Sequence, residues 1–243
     1  MIRLRVRLVL LPLGIFLLCG CGNGGWQSVE TDRLIIHYKK DSFAEKNLAE
    51  VVADYEDSIR AAERLLPQVR LEGKVKVYLH EHLEKLGYAR AAAREVHFRY
   101  DREFRLTSMH EFLHIFLHRL NPQVPLRFEE GVCRVHEVRT VRAGSGAVQV
   151  PLVQLGKRAA PSMWRLDQIF LDHYSSDEEG NLAAAFVAFA MQEHGEGPFW
   201  NFYGSLRKRE WRTAIEKYFG QDIQAVEARF VNFMKRIPDP PGA

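Results

Sequence analysis

Cysteine is scarce in this chain, with three among 243 residues. Cys19 and Cys21 stand close together near the start and Cys133 is far away, so no disulfide framework supports the fold. Long apolar runs are missing too. The most apolar stretch, Val9 to Leu18, is interrupted by Pro12 and Gly14 and falls short of the ~20 residues of a membrane-spanning helix. No basic cluster is interleaved with aromatics, which removes the usual footprint of nucleic-acid binding. Nor does either sign of charge dominate. The formal net charge is +3, and Arg3, Arg5 and Arg7 account for it, because residues 1–20 hold no acid and no lysine. There is no internal repeat and no low-complexity segment. What remains, with 47% hydrophobic residues, suffices for one sizeable core.

The first residues have the layout of an export signal: a basic start, a short apolar stretch, then small residues. Leu18-Cys19-Gly20-Cys21 resembles a bacterial lipobox. That resemblance implies cleavage after Gly20, a lipid on Cys21 as membrane anchor, and a location in the cell envelope outside the cytoplasm. Residues 21–29, opening with Gly22 to Gly25, read as a flexible tether, and residues 238–243 as a disordered tail.

Between them lies one domain, residues 30–237, expected to be α+β: a small mixed β-sheet lobe with packed helices (about 30–106), then a mainly helical lobe (about 107–237). Leu34 to Tyr38 reads as a strand. Asp41-Ser42 opens a helix, Ser42 and Glu45 fitting a capping box. The apolar stripe Leu48, Val51, Val52, Tyr55, Ile59, Ala62 and Leu65 continues it, and Pro67 ends it. Val75, Val77 and Leu79 alternate with polar neighbours, as do Val96, Phe98 and Tyr100, so both segments read as half-buried strands. A short helix is expected around His82 to Leu86. Val148 to Val153 reads as a short strand after a turn at Ala143 to Gly146. Helices follow, with Ala183 to Met191 buried.

The stretch Ser108 to Gly131 carries the chemistry. His110, Glu111 and His114 stand in the order H-E-x-x-H, and positions i and i+4 share one helix face, so both imidazoles can address one ion. By chance a chain of this composition yields such a match about 3% of the time. His118 extends the series but sits about 12 Å along the axis from His110, too far for the same ion. Asn121-Pro122 and Pro125 break the helix, and a second helix starting near Arg127 carries Glu129 and Glu130. Either acid is a candidate third ligand. Ser108 and Glu111 also fit a capping box. His136 reads as exposed and Cys133 as a small core residue.

Together the H-E-x-x-H and the downstream Pro125, Phe128, Glu130, Gly131, Val132 and Cys133 resemble the gluzincin metallopeptidases, a peptidase MA-like, thermolysin-like group. The coarse order of elements over residues 30–236 is similar as well. The resemblance implies a zincin-like fold, Zn2+ held by His110, His114 and Glu130, Glu111 as general base, and a peptide or protein substrate. It also implies a tyrosine or histidine donor to the oxyanion on a later helix. Asn181 or Leu182 stands where a tyrosine is common, leaving Tyr174, His173 and His194 as substitutes. A non-catalytic scaffold on the same fold is the alternative, and a closed structural zinc site a further one.

Overall fold

The computed structural model describes residues 25–105, 109–143, 146–163, 165–173 and 176–239. The export signal, Cys21, Ser108, Tyr174 and most of the tail lie outside them.

Alternation builds the first lobe. Strands β1 (Trp26–Glu30), β2 (Leu34–Lys39), β3 (Val75–His80), β4 (Gly87–Arg90) and β5 (Glu95–Arg99) form one mixed sheet in the order β1-β2-β3-β5-β4. β2, β3 and β5 run parallel, while β1 and β4 pair antiparallel at the two edges. A parallel β2–β3 pair requires a crossover, supplied by α1 (Phe43–Lys46) and α2 (Leu48–Leu65). Leu34, Ile36, Val75, Val77, Val96 and Phe98 are sealed on one face of the sheet, under Val51, Tyr55 and Ile59 of α2.

On the other face each strand from β2 to β4 contributes one ring to a ladder. His37 stacks on Tyr78 at 4.6 Å between centroids, Tyr78 on His97 at 4.7 Å and His97 on Tyr88 at 4.5 Å. His80 Nε2 meets His97 Nδ1 at 3.0 Å, and Trp26 packs edge-on against Tyr78 and His80.

Three expectations need correction here. The tether does not run to residue 29, because Trp26 already pairs with Lys39. The helix opened by Ser42 is broken at Asn47, whose side chain caps the Phe43 carbonyl at 2.7 Å. No helix forms around His82 to Leu86. The Leu86 carbonyl instead accepts from Arg99 N at 2.8 Å, so the chain enters β4 as an edge strand.

The second lobe begins with α3 (Met109–Leu120) and α4 (Leu126–Arg134). A hairpin of β6 (Val138–Ala143) and β7 (Gly146–Pro151) follows; only part of β7 was expected. Next come α5 (Leu152–Met163), α6 (Leu166–Ile169), α7 (Asp177–His194), α8 (Glu196–Ser205), α9 (Trp211–Phe219) and α10 (Ile223–Arg236). α7 is buried on nearly every side from Gly180 to Val187, as suits a central helix. It lies so close to α4 that a Cβ on Gly131 would come within 2.5 Å of the Ala183 carbonyl carbon. The glycine after Glu130 is therefore a packing requirement. Phe128 of α4 stacks on Phe170 at 4.9 Å. The fully buried Arg127 donates to the carbonyls of Gln168 and His173 and pairs with Glu179 at 2.7 Å. These contacts fix α4 as a rigid shelf beside α3. Among the described residues no helix is long and apolar enough to cross a membrane.

Candidate metal centre

α3 presents His110 and His114 one turn apart, with Nε2 to Nε2 3.3 Å. The loop 121–125 turns the chain back, and Asn121 anchors it by donating to the Tyr203 and Leu206 carbonyls at 2.8 Å each. α4 then delivers Glu130, whose Oε2 lies 3.5 Å from His110 Nε2 and 3.3 Å from His114 Nε2. Three donor atoms thus form a triangle with edges of 3.3, 3.3 and 3.5 Å. Ligands 2.0–2.1 Å from a tetrahedral zinc stand about 3.3–3.4 Å apart. The triangle fits such an ion without rearrangement. It lies in a cleft of about 880 Å³, also lined by Glu111, His118, Arg134 and Glu137, with Tyr88 of β4 on one wall and Lys208 on another.

A second layer of carboxylates fixes the imidazoles. His114 Nδ1 meets Glu129 Oε1 at 2.7 Å and His110 Nδ1 meets Glu137 Oε1 at 2.9 Å. Each carboxylate accepts a hydrogen bond from Nδ1–H, which turns Nε2 toward the triangle, the arrangement common to metal-bound histidines. Glu129 and Glu130 therefore divide the work: Glu129 orients a histidine and Glu130 faces the cluster. Glu130 is itself held, because Oε1 accepts from Arg134 Nε at 2.6 Å. Arg134 continues to Asn181 Oδ1 at 3.2 Å and Asp177 Oδ1 at 3.0 Å.

The electrostatics follow. Burial opposes the charge on both imidazoles, yet their partners outweigh it and hold both well above 6.5: Glu130 and Glu137 for His110, Cys133, Glu129 and Glu130 for His114. Burial likewise opposes the Glu130 charge, and the two imidazoles overcome it, holding the carboxyl far below its ordinary range. The carboxylates thus favour positive charge at the triangle. Glu111 differs: burial pushes its carboxyl up, and it makes no side-chain hydrogen bond or ion pair among the described residues.

Other candidates fall elsewhere. His118 lines the cleft away from the triangle, and His136 is exposed. Cys133 is more than core packing, since its sulfur and the imidazole nitrogens of His110 and His114 lie within 4.8 Å of one another. Glu130 fits a third position better, at 3.3 and 3.5 Å. Of the oxyanion substitutes, Tyr174 lies outside the described residues, and His173 and His194 are not brought to the cleft. His194 sits at the far end of α7, about 20 Å along the axis from Asn181, packed on Tyr218 and Phe219. His173 is exposed and outside the cleft lining. Asn181 is occupied by Arg134, and Leu182 is buried.

Glu137 and Arg134 were not foreseen. Arg134 follows Glu130 by four residues, a spacing that signals a helical ion pair. Glu137 lies beyond the end of α4 and left no such mark. Comparison with family models, with curated proteins and with solved structures finds no match.

Proposed function

We propose that this chain is a zinc-dependent metallopeptidase of the gluzincin type with a zincin-like fold. The reading rests on one observation: the triangle of His110 Nε2, His114 Nε2 and Glu130 Oε2 at zinc-ligand spacing, on the floor of a cleft that Glu111 also lines. Three protein ligands leave a fourth position open, as catalytic zinc requires. When bound there, zinc lowers the pKa of its water toward ~7 and polarises a carbonyl.

Glu111 lies about 100° round the helix from His110, beside the ligands. A carboxylate raised by burial accepts a proton more readily than an exposed one, and returns it to the leaving amine. Glu129 and Glu137 keep the histidines in one tautomer, and Arg134 keeps one Glu130 oxygen turned inward. β4 supplies a place for substrate. Leu86 bonds to β5, so by alternation the backbone groups of Gly87 and Ala89 face the open edge. Both residues line the cleft, and an extended peptide can add there as a further strand. The lipobox-like Leu18-Cys19-Gly20-Cys21 supports a lipid anchor at Cys21, outside the cytoplasm, where the enzyme would act on peptide or protein substrates.

A second reading, a non-catalytic lipoprotein on the same scaffold, draws on the position of His173 and His194 outside the cleft. Glu111→Gln separates the two. The variant should keep its zinc and lose peptide hydrolysis by about 10²–10⁴-fold. Wild-type protein that holds zinc and cleaves no member of a broad peptide library would favour the scaffold.

A further inference from the structure

The centre has two approaches. The cleft opens onto His110, Glu111, His114 and Glu130. From the interior comes Cys133, completely buried and absent from the cleft lining. It follows Glu129 by four residues and Glu130 by three, so α4 turns all three toward α3. Its sulfur lies within 4.8 Å of both imidazole nitrogens. In a tetrahedral zinc site with Zn–S of ~2.3 Å and Zn–N of ~2.05 Å, nitrogen and sulfur stand about 3.5 Å apart. Closing that gap takes a movement of about 1.3 Å at most, within the range of a side-chain adjustment.

We propose that Cys133 serves as a fourth protein ligand, so that the centre has a closed state, His110-His114-Glu130-Cys133, alternating with the open one. This rests on the metal reading above. Closure forms one metal–sulfur bond and breaks the bond to water. The thiol proton and the water leave to solvent through the cleft, and no redox change is involved. Four protein ligands, one of them a thiolate, make a structural rather than catalytic set. The closed state is therefore inactive, and substrate entering from the cleft competes with the sulfur. Thiolate is a soft donor and favours zinc over harder divalent ions such as Mn2+, so the thiol also selects the metal.

Cobalt separates this idea from the metal reading. Tetrahedral Co2+ shows visible d–d bands whatever its ligands, whereas a near-ultraviolet sulfur-to-cobalt charge-transfer band requires a bound thiolate. The full chain loaded with Co2+ should show both. Cys133→Ser and Cys133→Ala should keep the visible bands and lose the ultraviolet band. Both should bind zinc more weakly, by more than the roughly 10–100-fold that losing one outer partner costs, and release one proton fewer on binding. Visible bands without the ultraviolet band in the wild type would overturn the fourth ligand while leaving the three-ligand centre standing. Absence of both sets of bands would overturn the centre and this ligand with it.

Discussion

On α3, His110 and His114 bring two ring nitrogens within 3.3 Å. On the outer sheet face, His80 and His97 bring two within 3.0 Å. The spacing is alike and the chemistry opposite. Around the first pair, Glu129 and Glu137 take the far nitrogens and Glu130 faces the near ones. Around the second, the neighbours are mainly rings: Tyr78 and Tyr88 stack on His97, whose buried Nε2 has no hydrogen-bond partner among the described residues. Carboxylates, with Cys133 ahead of them at His114, hold the first pair well above 6.5. Burial, then the charge of a neighbour, lowers the second: Lys39 acts on His80, and His80 on His97, which falls to about 4. Proximity of histidines does not by itself make a metal centre. The surrounding carboxylates and the fixed ring orientations are what suit the first pair, and not the second, to a cation.

The largest expected effect tests those carboxylates. Arg134 balances Glu130 in a buried network, so Arg134→Leu should destabilise the metal-free protein by about 3 kcal/mol, measured by urea unfolding. Excess zinc, binding only the folded state, should raise the stability of the variant above that of its own metal-free form. A variant equally stable with and without zinc would mean that Glu130 faces no cation site.

Next come the orienting carboxylates. Glu129→Gln and Glu137→Gln should each weaken zinc affinity roughly 10–100-fold, by competition with a chelating dye. Glu95→Gln, beside the ladder, should leave it unchanged.

The smallest effect belongs to the ladder. The folded His97 titrates near 4 and the unfolded chain near 6.5. Above 6.5 both are neutral. Between 6.5 and 4 the unfolded chain takes up the proton first, so stability is lost as the pH is lowered across that window. His80, Tyr78, Tyr88, Glu95, Arg90 and Arg99 surround the ring. Discounted for solvent screening, the contribution is on the order of 1 kcal/mol, or about 2–4 °C in Tm. His97→Phe keeps the stacking and should remove that part of the acid sensitivity. An unchanged pH profile of Tm would show that His97 does not carry it.

These two regions were unequally legible in the sequence. The i, i+4 histidines and the Glu-Gly pair are local patterns, and helices α3 and α4 turn them directly into geometry. Gly131 was recognisable as part of a motif, but its reason lies in Ala183, 52 residues further on. The strands β2, β3 and β5 announced themselves by alternation. β4 did not, because GYAR is too short and too weakly apolar, and pairing with β5 decides its form. Glu137 reaches His110 only through the turn that ends α4. Of the oxyanion substitutes, His194 is carried away along the axis of α7, His173 precedes that helix and is exposed, and Tyr174 lies outside the described residues. The ladder left no trace at all: His37, Tyr78, Tyr88 and His97 come from four strands and meet only through register.

The metal content of the purified full chain is the most direct measurement, set beside that of His110→Ala and His80→Ala. The account predicts one zinc per chain in the wild type and in His80→Ala, and none in His110→Ala. Zinc lost on changing His80, or retained on changing His110, would contradict it.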